Sequence, residues 1–161
     1  MKILVISDNH GSIGRVRKAI EQEKPLDAVM HCGDLEIDPE MVKVMAGCPC
    51  YMVRGNNDYG YPLPKEQTVT LGGHTFWINH GHRFGVSYGT TKLCYAAMEK
   101  GADVCLYGHT HMPEMDYCGN LQIMNPGSLT YPRQKGRQPT YGIIEIDENG
   151  KLCMSIRRLE I

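Results

Sequence analysis

The stretch Lys2-Ile3-Leu4-Val5-Ile6-Ser7-Asp8-Asn9-His10-Gly11 opens with an unbroken apolar run and ends on a carboxylate and an imidazole. A short apolar run without alternation reads as a strand covered on both faces. Ser12 follows in helix-capping position, with Ile13, Val16, Ala19 and Ile20 spaced along one helical face as far as Lys24-Pro25. Residues 26–31 are again apolar and finish at Gly33-Asp34. Strand, helix, strand makes a βαβ unit. Such units build parallel sheets, and those carry their sites beyond the carboxyl ends of the strands.

The same device recurs along the chain. A helix over 39–46 leads to a third strand, 51–53, that empties into Arg54-Gly55-Asn56-Asn57-Asp58. Residues 68–71, Gly72-Gly73 and 74–79 read as a hairpin whose second arm ends in Asn79-His80-Gly81-His82. His74 flanks the turn and is expected to be exposed. Residues 90–100 look helical, with Leu93, Ala96, Ala97 and Lys100 on one side and Gly101 as C-cap. A buried strand over 103–107 then delivers Gly108-His109-Thr110-His111. Histidines two apart on extended backbone point to opposite faces, so both serve one site only if the chain turns, and Gly108 is expected to permit the turn. Residues 114–117, 121–124, 140–146 and 151–158 read as a β-meander, with Asn125-Pro126-Gly127-Ser128 as either a loop approaching the site or a plain turn. No linker, repeat or low-complexity tract intervenes. The expectation is a single domain over 1–161, built as two packed sheets flanked by helices.

Composition narrows the functional classes. The 161 residues carry a formal net charge of −1, so no overall basic field draws the chain to nucleic acid or to an anionic membrane, although a local site stays open. The apolar opening is too short for a signal peptide or a membrane span, which points to a cytoplasmic protein. Seven cysteines without a CxxC pair are expected to be reduced and mostly buried thiols. Cys48-Pro49-Cys50 as a soft metal or redox pair is a minor alternative, and the ten methionines read as core filler and surface scatter.

The strand ends together offer Asp8, His10, Asp34, Asn56, His80, His109 and His111. Each has a plain reading alone: Asp8 and Asp34 as turn formers or helix caps, Asn56 as a left-handed turn residue. His31, inside a strand, is assigned to the core, and His82 is divided between support of the site and substrate contact. Five strand ends with the same chemistry are harder to dismiss. One divalent ion rarely needs so many ligands, whereas two ions sharing a carboxylate need about this number. Mixed imidazole and oxygen donors without thiolate suit manganese, iron or zinc better than calcium.

Asp8-x-His10, Gly33-Asp34, Gly55-Asn56-Asn57-Asp58, His80 and Gly108-His109-x-His111 together resemble the motif set of the calcineurin-like metallophosphoesterases, specifically the small phosphodiesterase branch without a cap domain. The resemblance spans nearly the whole chain and implies a four-layer α/β/β/α sandwich of two mixed sheets. It implies two divalent metal ions, manganese first with iron, zinc or nickel as alternatives. Asp8, His10 and His111 would hold one ion, Asn56, His80 and His109 the other, and Asp34 would bridge them, with an activated hydroxide attacking a small-molecule phosphoester.

One position departs from the family pattern. Asn57 stands where most members carry a histidine credited with protonating the leaving group, and an amide cannot give up a proton at neutral pH. The catalytic candidates beyond the metal donors are therefore Asn57 and His82. The alternatives are a phosphomonoesterase or protein phosphatase on the same site, or a non-enzymatic interaction protein like the retromer subunit of this fold. That subunit has lost part of its metal set, whereas all seven positions here are filled. A homo-oligomer is compatible with the sequence.

Overall fold

Alternation within the first strand sets the layering. In a computed structural model describing residues 1–161, β1 (Lys2–Ile6) turns Leu4 and Ile6 to one side and Ile3 and Val5 to the other, and all four are fully buried. A strand buried on both faces needs a layer above and a layer below. The remaining elements supply them: α1 (Ile13–Glu23), β2 (Ala28–His31), α2 (Pro39–Ala46), β3 (Cys50–Met52), β4 (Glu66–Leu71), β5 (His74–Asn79), α3 (Thr91–Glu99), β6 (Val104–Leu106), β7 (Glu114–Cys118), β8 (Leu121–Asn125), β9 (Thr140–Ile146) and β10 (Leu152–Arg158). Two 3₁₀ turns, His82–Phe84 and Val86–Tyr88, follow β5.

The strands form two five-stranded sheets, ordered β10-β9-β1-β2-β3 and β4-β5-β6-β8-β7. Both are mixed: β1, β2 and β3 are parallel, as are β5, β6 and β8, and antiparallel strands complete each sheet. Three apolar cores separate four layers. Leu4, Ile6, Val29 and Met52 pack with Val16, Ile20 and Val42 of α1 and α2. Ile3, Val5 and Met30 meet Phe76, Ile78, Val104 and Leu106 between the sheets. Trp77, Cys105 and Ile123 pack with Leu93 and Ala97 of α3. This is the expected α/β/β/α sandwich.

Several expectations are corrected. The last third is not one meander: β7 and β8 form a hairpin in the second sheet, whereas β9 crosses over to pair with β1 and brings β10 with it. A hairpin pattern specifies its own pairing but not which sheet receives it. Ser12 sits at the N-cap of α1 without a capping side-chain hydrogen bond, in contrast to Asp38, whose carboxylate accepts from the Glu40 N–H at 3.0 Å. The buried stripe of α3 is Leu93, Cys94 and Ala97, while Lys100 is exposed and reaches Glu66 at 2.8 Å. His74 is half-buried, with its Nε2 on the Gly150 carbonyl at 2.6 Å. The cysteines are not all thiols. Packing of α3 on the second sheet brings Cys94 and Cys118 to a Cα separation of 6.4 Å, and they are joined as a disulfide. Cys48 and Cys50 remain free. No helix is long and apolar enough to cross a membrane.

Candidate metal centre

The parallel strands of both sheets end on the same edge of the molecule, and the five loops leaving β1, β2, β3, β5 and β6 interlock there. Asp8 N–H donates to the Gly33 carbonyl at 3.0 Å, His10 N–H to the Asp34 carbonyl at 3.1 Å, and Gly108 N–H to the His80 carbonyl at 3.1 Å. The approach is close enough to demand glycine at two points. A Cβ on Gly55 would lie 2.1 Å from Asp34 Oδ1, and one on Gly108 would lie 2.1 Å from Ser7 Oγ. Gly108 therefore serves close packing rather than the turn expected of it. The turn is carried by the histidines themselves, His109 at φ 73° and His111 at φ 59°.

Asp8, His10 and Asp34 also have positive φ, at 54°, 41° and 56°. A left-handed conformation costs a side-chain-bearing residue roughly 1–2 kcal/mol. Five of the seven candidate donors thus occupy disfavoured backbone, which persists only where surrounding contacts over-determine it. Asp58 provides much of that constraint. Its buried carboxylate accepts the backbone N–H groups of Asp34, Gly55 and Glu36, each at 2.8 Å. Asp58 is not among the seven donors expected from the sequence, although an aspartate closing a glycine-rich turn is a signal for such backbone capture.

Side-chain geometry divides the donors into two groups around a common edge. In the first, Asp8 Oδ1 lies 3.2 Å from His111 Nε2 and 3.7 Å from His10 Nε2, and the two imidazole nitrogens are 3.1 Å apart. In the second, Asp34 Oδ2 lies 3.4 Å from His80 Nε2, which is 3.3 Å from His109 Nδ1, itself 3.2 Å from Asn56 Oδ1. Asp34 Oδ2 also stands 3.8 Å from His10 Nε2 and so faces both groups. Asp8, Asp34, His80 and His111 are buried, whereas Asn56 is exposed and leaves the second group open to solvent.

The outer nitrogens fix the inner ones. His10 Nδ1 meets Glu36 Oε2 at 2.5 Å, His80 Nδ1 the Cys32 carbonyl at 2.7 Å, and His111 Nδ1 the Tyr131 carbonyl at 2.8 Å. These acceptors place the proton on each Nδ1 and leave Nε2 to present a lone pair inward. The His10 and His111 lone pairs then confront one another beside Asp8 Oδ1, a buried oxygen with no hydrogen-bond partner. Such an arrangement is unfavourable unless something positive lies between the atoms. The same demand shows in the titration of the site. Burial opposes ionisation of Asp8, but the adjacent His111 and His80 rings and the Ser7 hydroxyl outweigh it and hold the carboxyl below its ordinary range. Asp34 is likewise held low against burial by His80 and Asn57. Burial would depress His80, yet Asp34 and Asp8 raise it.

The two catalytic candidates lie at the edge of this cluster. Asn57 donates to Asp34 twice, from its backbone N–H to Oδ1 and from Nδ2 to Oδ2, each at 2.9 Å. Its amide thus orients the carboxylate shared by the two groups. The His82 ring lies 5.3 Å from His80 and 6.0 Å from His109, centroid to centroid, with Nδ1 buried and unpartnered. Burial, reinforced by the neighbouring His80 and His109 rings, lowers its pKa to about 4. His31 is a core residue as expected. It accepts from the Gly33 N–H at 3.0 Å, which leaves its Nε2–H for Asn9 Oδ1 at 2.7 Å. The Asn125–Ser128 loop does approach the site: Ser128 Oγ donates to the Asp8 carbonyl at 2.7 Å, and Asn125 Nδ2 to the Gly108 carbonyl at 3.1 Å.

Comparison with known proteins places the chain in a family. Residues 1–149 match the model of the calcineurin-like phosphoesterase superfamily domain. The chain is 31% identical over 150 residues to a probable metallophosphoesterase, YsnB, of Bacillus subtilis, covering 92% of this chain and 86% of the relative. It is 29% identical over 167 residues to the phosphodiesterase MJ0936 of Methanocaldococcus jannaschii, covering 92% and 95% of the two chains. Among solved structures, a predicted phosphoesterase of Streptococcus pneumoniae superposes with a TM-score of 0.82 at 31% identity, covering 97% of each chain.

Proposed function

The chain belongs to the calcineurin-like phosphoesterase superfamily, and on that premise we propose that it is a metal-dependent phosphodiesterase of small phosphodiesters, with a dinuclear centre filled by manganese in preference to iron, zinc or nickel. Asp8, His10 and His111 form one ligand set, Asn56, His80 and His109 the other, and Asp34 serves both. The observation that carries the reading is the confrontation of the His10 and His111 Nε2 lone pairs at 3.1 Å beside the orphaned Asp8 Oδ1. A self-sufficient hydrogen-bond network would not leave the buried Asp8 and His111 acceptors facing each other and the partly buried His10 nitrogen. A non-enzymatic interaction protein has no need of this complete donor set.

Divalent cations held there supply Lewis-acid screening of the phosphate and a water of lowered pKa as nucleophile. The protein's own part is orientation. Glu36 and the Cys32 and Tyr131 carbonyls fix the imidazole tautomers, Asn57 fixes the Asp34 carboxylate, and exposed Asn56 leaves an open face for the substrate. Asn57 is engaged with Asp34 and has no proton to give a departing oxygen. A positioned general acid contributes about 10²–10⁴-fold. Without one, rates fall steeply with leaving-group pKa, so aryl diesters react well, alkyl diesters poorly and monoesters worst.

The test is metal-stripped protein reloaded with manganese, desalted, and assayed on substituted phenyl and alkyl phosphodiesters beside monoesters. The expected result is a steep leaving-group dependence that Asn57→His flattens. Diester hydrolysis by protein that retains no metal would defeat the reading. A flat native profile that becomes steep in His82→Ala would move the acid role to His82.

A further inference from the structure

The groove beside the first ligand set is lined by Thr130, Tyr131, Pro132, Arg133 and Arg137 and has a volume of about 460 Å³. It is fixed to the metal centre at several points. The Tyr131 carbonyl accepts from His111 Nδ1, the Arg133 N–H donates to the His111 carbonyl at 3.0 Å, and Thr130 Oγ1 donates to the Asn9 carbonyl at 2.8 Å. Ser128 Oγ in turn receives the Thr130 and Tyr131 N–H groups at 3.1 and 2.8 Å. The wall is thus held in place by its backbone and by Thr130, while the Tyr131, Arg133 and Arg137 side chains are not engaged. Tyr131 is 58% exposed, and its ring sits 5.5 Å from the His10 ring, centroid to centroid. The ion pairs formed by lysine and arginine use Lys2, Lys43, Arg83, Lys100 and Arg157, which leaves the guanidiniums of Arg133 and Arg137 without a carboxylate partner. No acidic residue lines the groove.

An exposed aromatic face next to a phosphate site, continued by unpaired guanidiniums, is the chemistry that receives a base followed by a further phosphate. Aromatic faces stack bases without demanding a sequence, and guanidiniums take phosphate oxygens in pairs. We propose that this groove binds one arm of the substrate, and that the preferred diester is of dinucleotide type: a base stacked on Tyr131 beside the scissile phosphate, and a terminal phosphate on Arg133 and Arg137. The inference rests on the diesterase reading and specifies its substrate class. The net charge of −1 is no obstacle, because the groove itself carries two arginines and no acidic residue.

The experiment uses manganese-loaded protein and two p-nitrophenyl diesters sharing a leaving group, one with thymidine and one with ethyl on the other arm. Tyr131→Ala is expected to raise the KM ratio of the thymidine to the ethyl diester by about tenfold, and Tyr131→Phe to leave that ratio near its native value. The Arg133→Ala/Arg137→Ala double variant is expected to remove the KM advantage of a 5′-phosphorylated dinucleotide over the unphosphorylated one. Calorimetric titration with thymidine 5′-monophosphate supplies a readout apart from turnover, with native binding weakened about tenfold in Tyr131→Ala. A diesterase whose KM ratio is unchanged in Tyr131→Ala overturns this inference and leaves the function standing. Loaded protein that binds the nucleotide through Tyr131 but hydrolyses no diester overturns the function and leaves the groove assignment standing.

Discussion

Two clusters of buried charge lie in this molecule, and they are finished differently. Around Glu23, which is 3% exposed, every carboxylate oxygen has its donor: Tyr141 hydroxyl on Oε1 at 2.5 Å, and on Oε2 Lys2 Nζ at 2.8 Å and an Arg157 nitrogen at 2.7 Å. Around Asp8, one oxygen has none and two imidazole lone pairs face it. The Glu23 cluster closes on itself and ties the end of α1 to β1, β9 and β10. On the proposed reading, the Asp8 cluster is completed by cations supplied from outside. Burying charge is costly in either case. One cluster recovers that cost in structure, and the other holds it ready for a ligand.

The contrast is broken most completely by removing the carboxylate common to both ligand sets. Asp34→Ala is expected to abolish diester hydrolysis and to lower the occupancy of both metal positions, whereas His111→Ala mainly empties one, read by elemental analysis after desalting. The Glu23 side responds in the opposite sense. Glu23→Ala strands Lys2 and Arg157 and is expected to cost roughly 3–5 kcal/mol in urea unfolding, with metal content per folded chain unchanged. Metal loss in folded Glu23→Ala would mean the two clusters are coupled.

His31 sharpens the comparison from the inside of the sheet. Burial lowers its pKa from 6.5 to about 4. Between these values the unfolded chain binds a proton that the folded chain refuses, so this group's contribution is complete above pH 6.5 and is lost as pH falls toward 4. The loss amounts to about 3 kcal/mol by linkage. Unfolding midpoints across this range should fall less in His31→Gln than in native protein, and an equal fall would assign the acid sensitivity elsewhere. The smallest expected effect is at Asn57. Asn57→Ala removes the amide that orients Asp34 while leaving every metal donor, and such outer contacts are worth about 10–100-fold in metal affinity. Manganese titration should show a loss of that size in Asn57→Ala with no change in unfolding free energy beyond about 1 kcal/mol.

The strand-end chemistry was legible because apolar runs that end in glycine-bearing loops announce where a chain leaves a sheet, and all seven candidate donors lie in such loops. Helix α2 was equally legible, with Asp38-Pro39 at its start and Gly47 at its end. What the sequence hid depends on pairing over distance. Nothing local tells that β9 returns to β1, and with that return unknown the Glu23 cluster, drawn from residues 2, 23, 141 and 157, could not be assembled. The Cys94–Cys118 bridge escaped for the same reason, since its half-cystines come from separate elements. The backbone strain at the site was concealed differently. Positive φ at Asp8, His10, Asp34, His109 and His111 is imposed by the interlocked loops against the preference of those residues, whereas the sequence pointed to Gly108 as the hinge.

The claim that the Asp8 cluster is complete only with two cations is tested most directly by equilibrium dialysis of metal-stripped protein against manganese, with bound metal counted per chain. The account predicts two manganese ions per native chain, about one in His111→Ala and lowered occupancy of both positions in Asp34→Ala. Native protein that binds none, or binds the same number in Asp34→Ala, would contradict it.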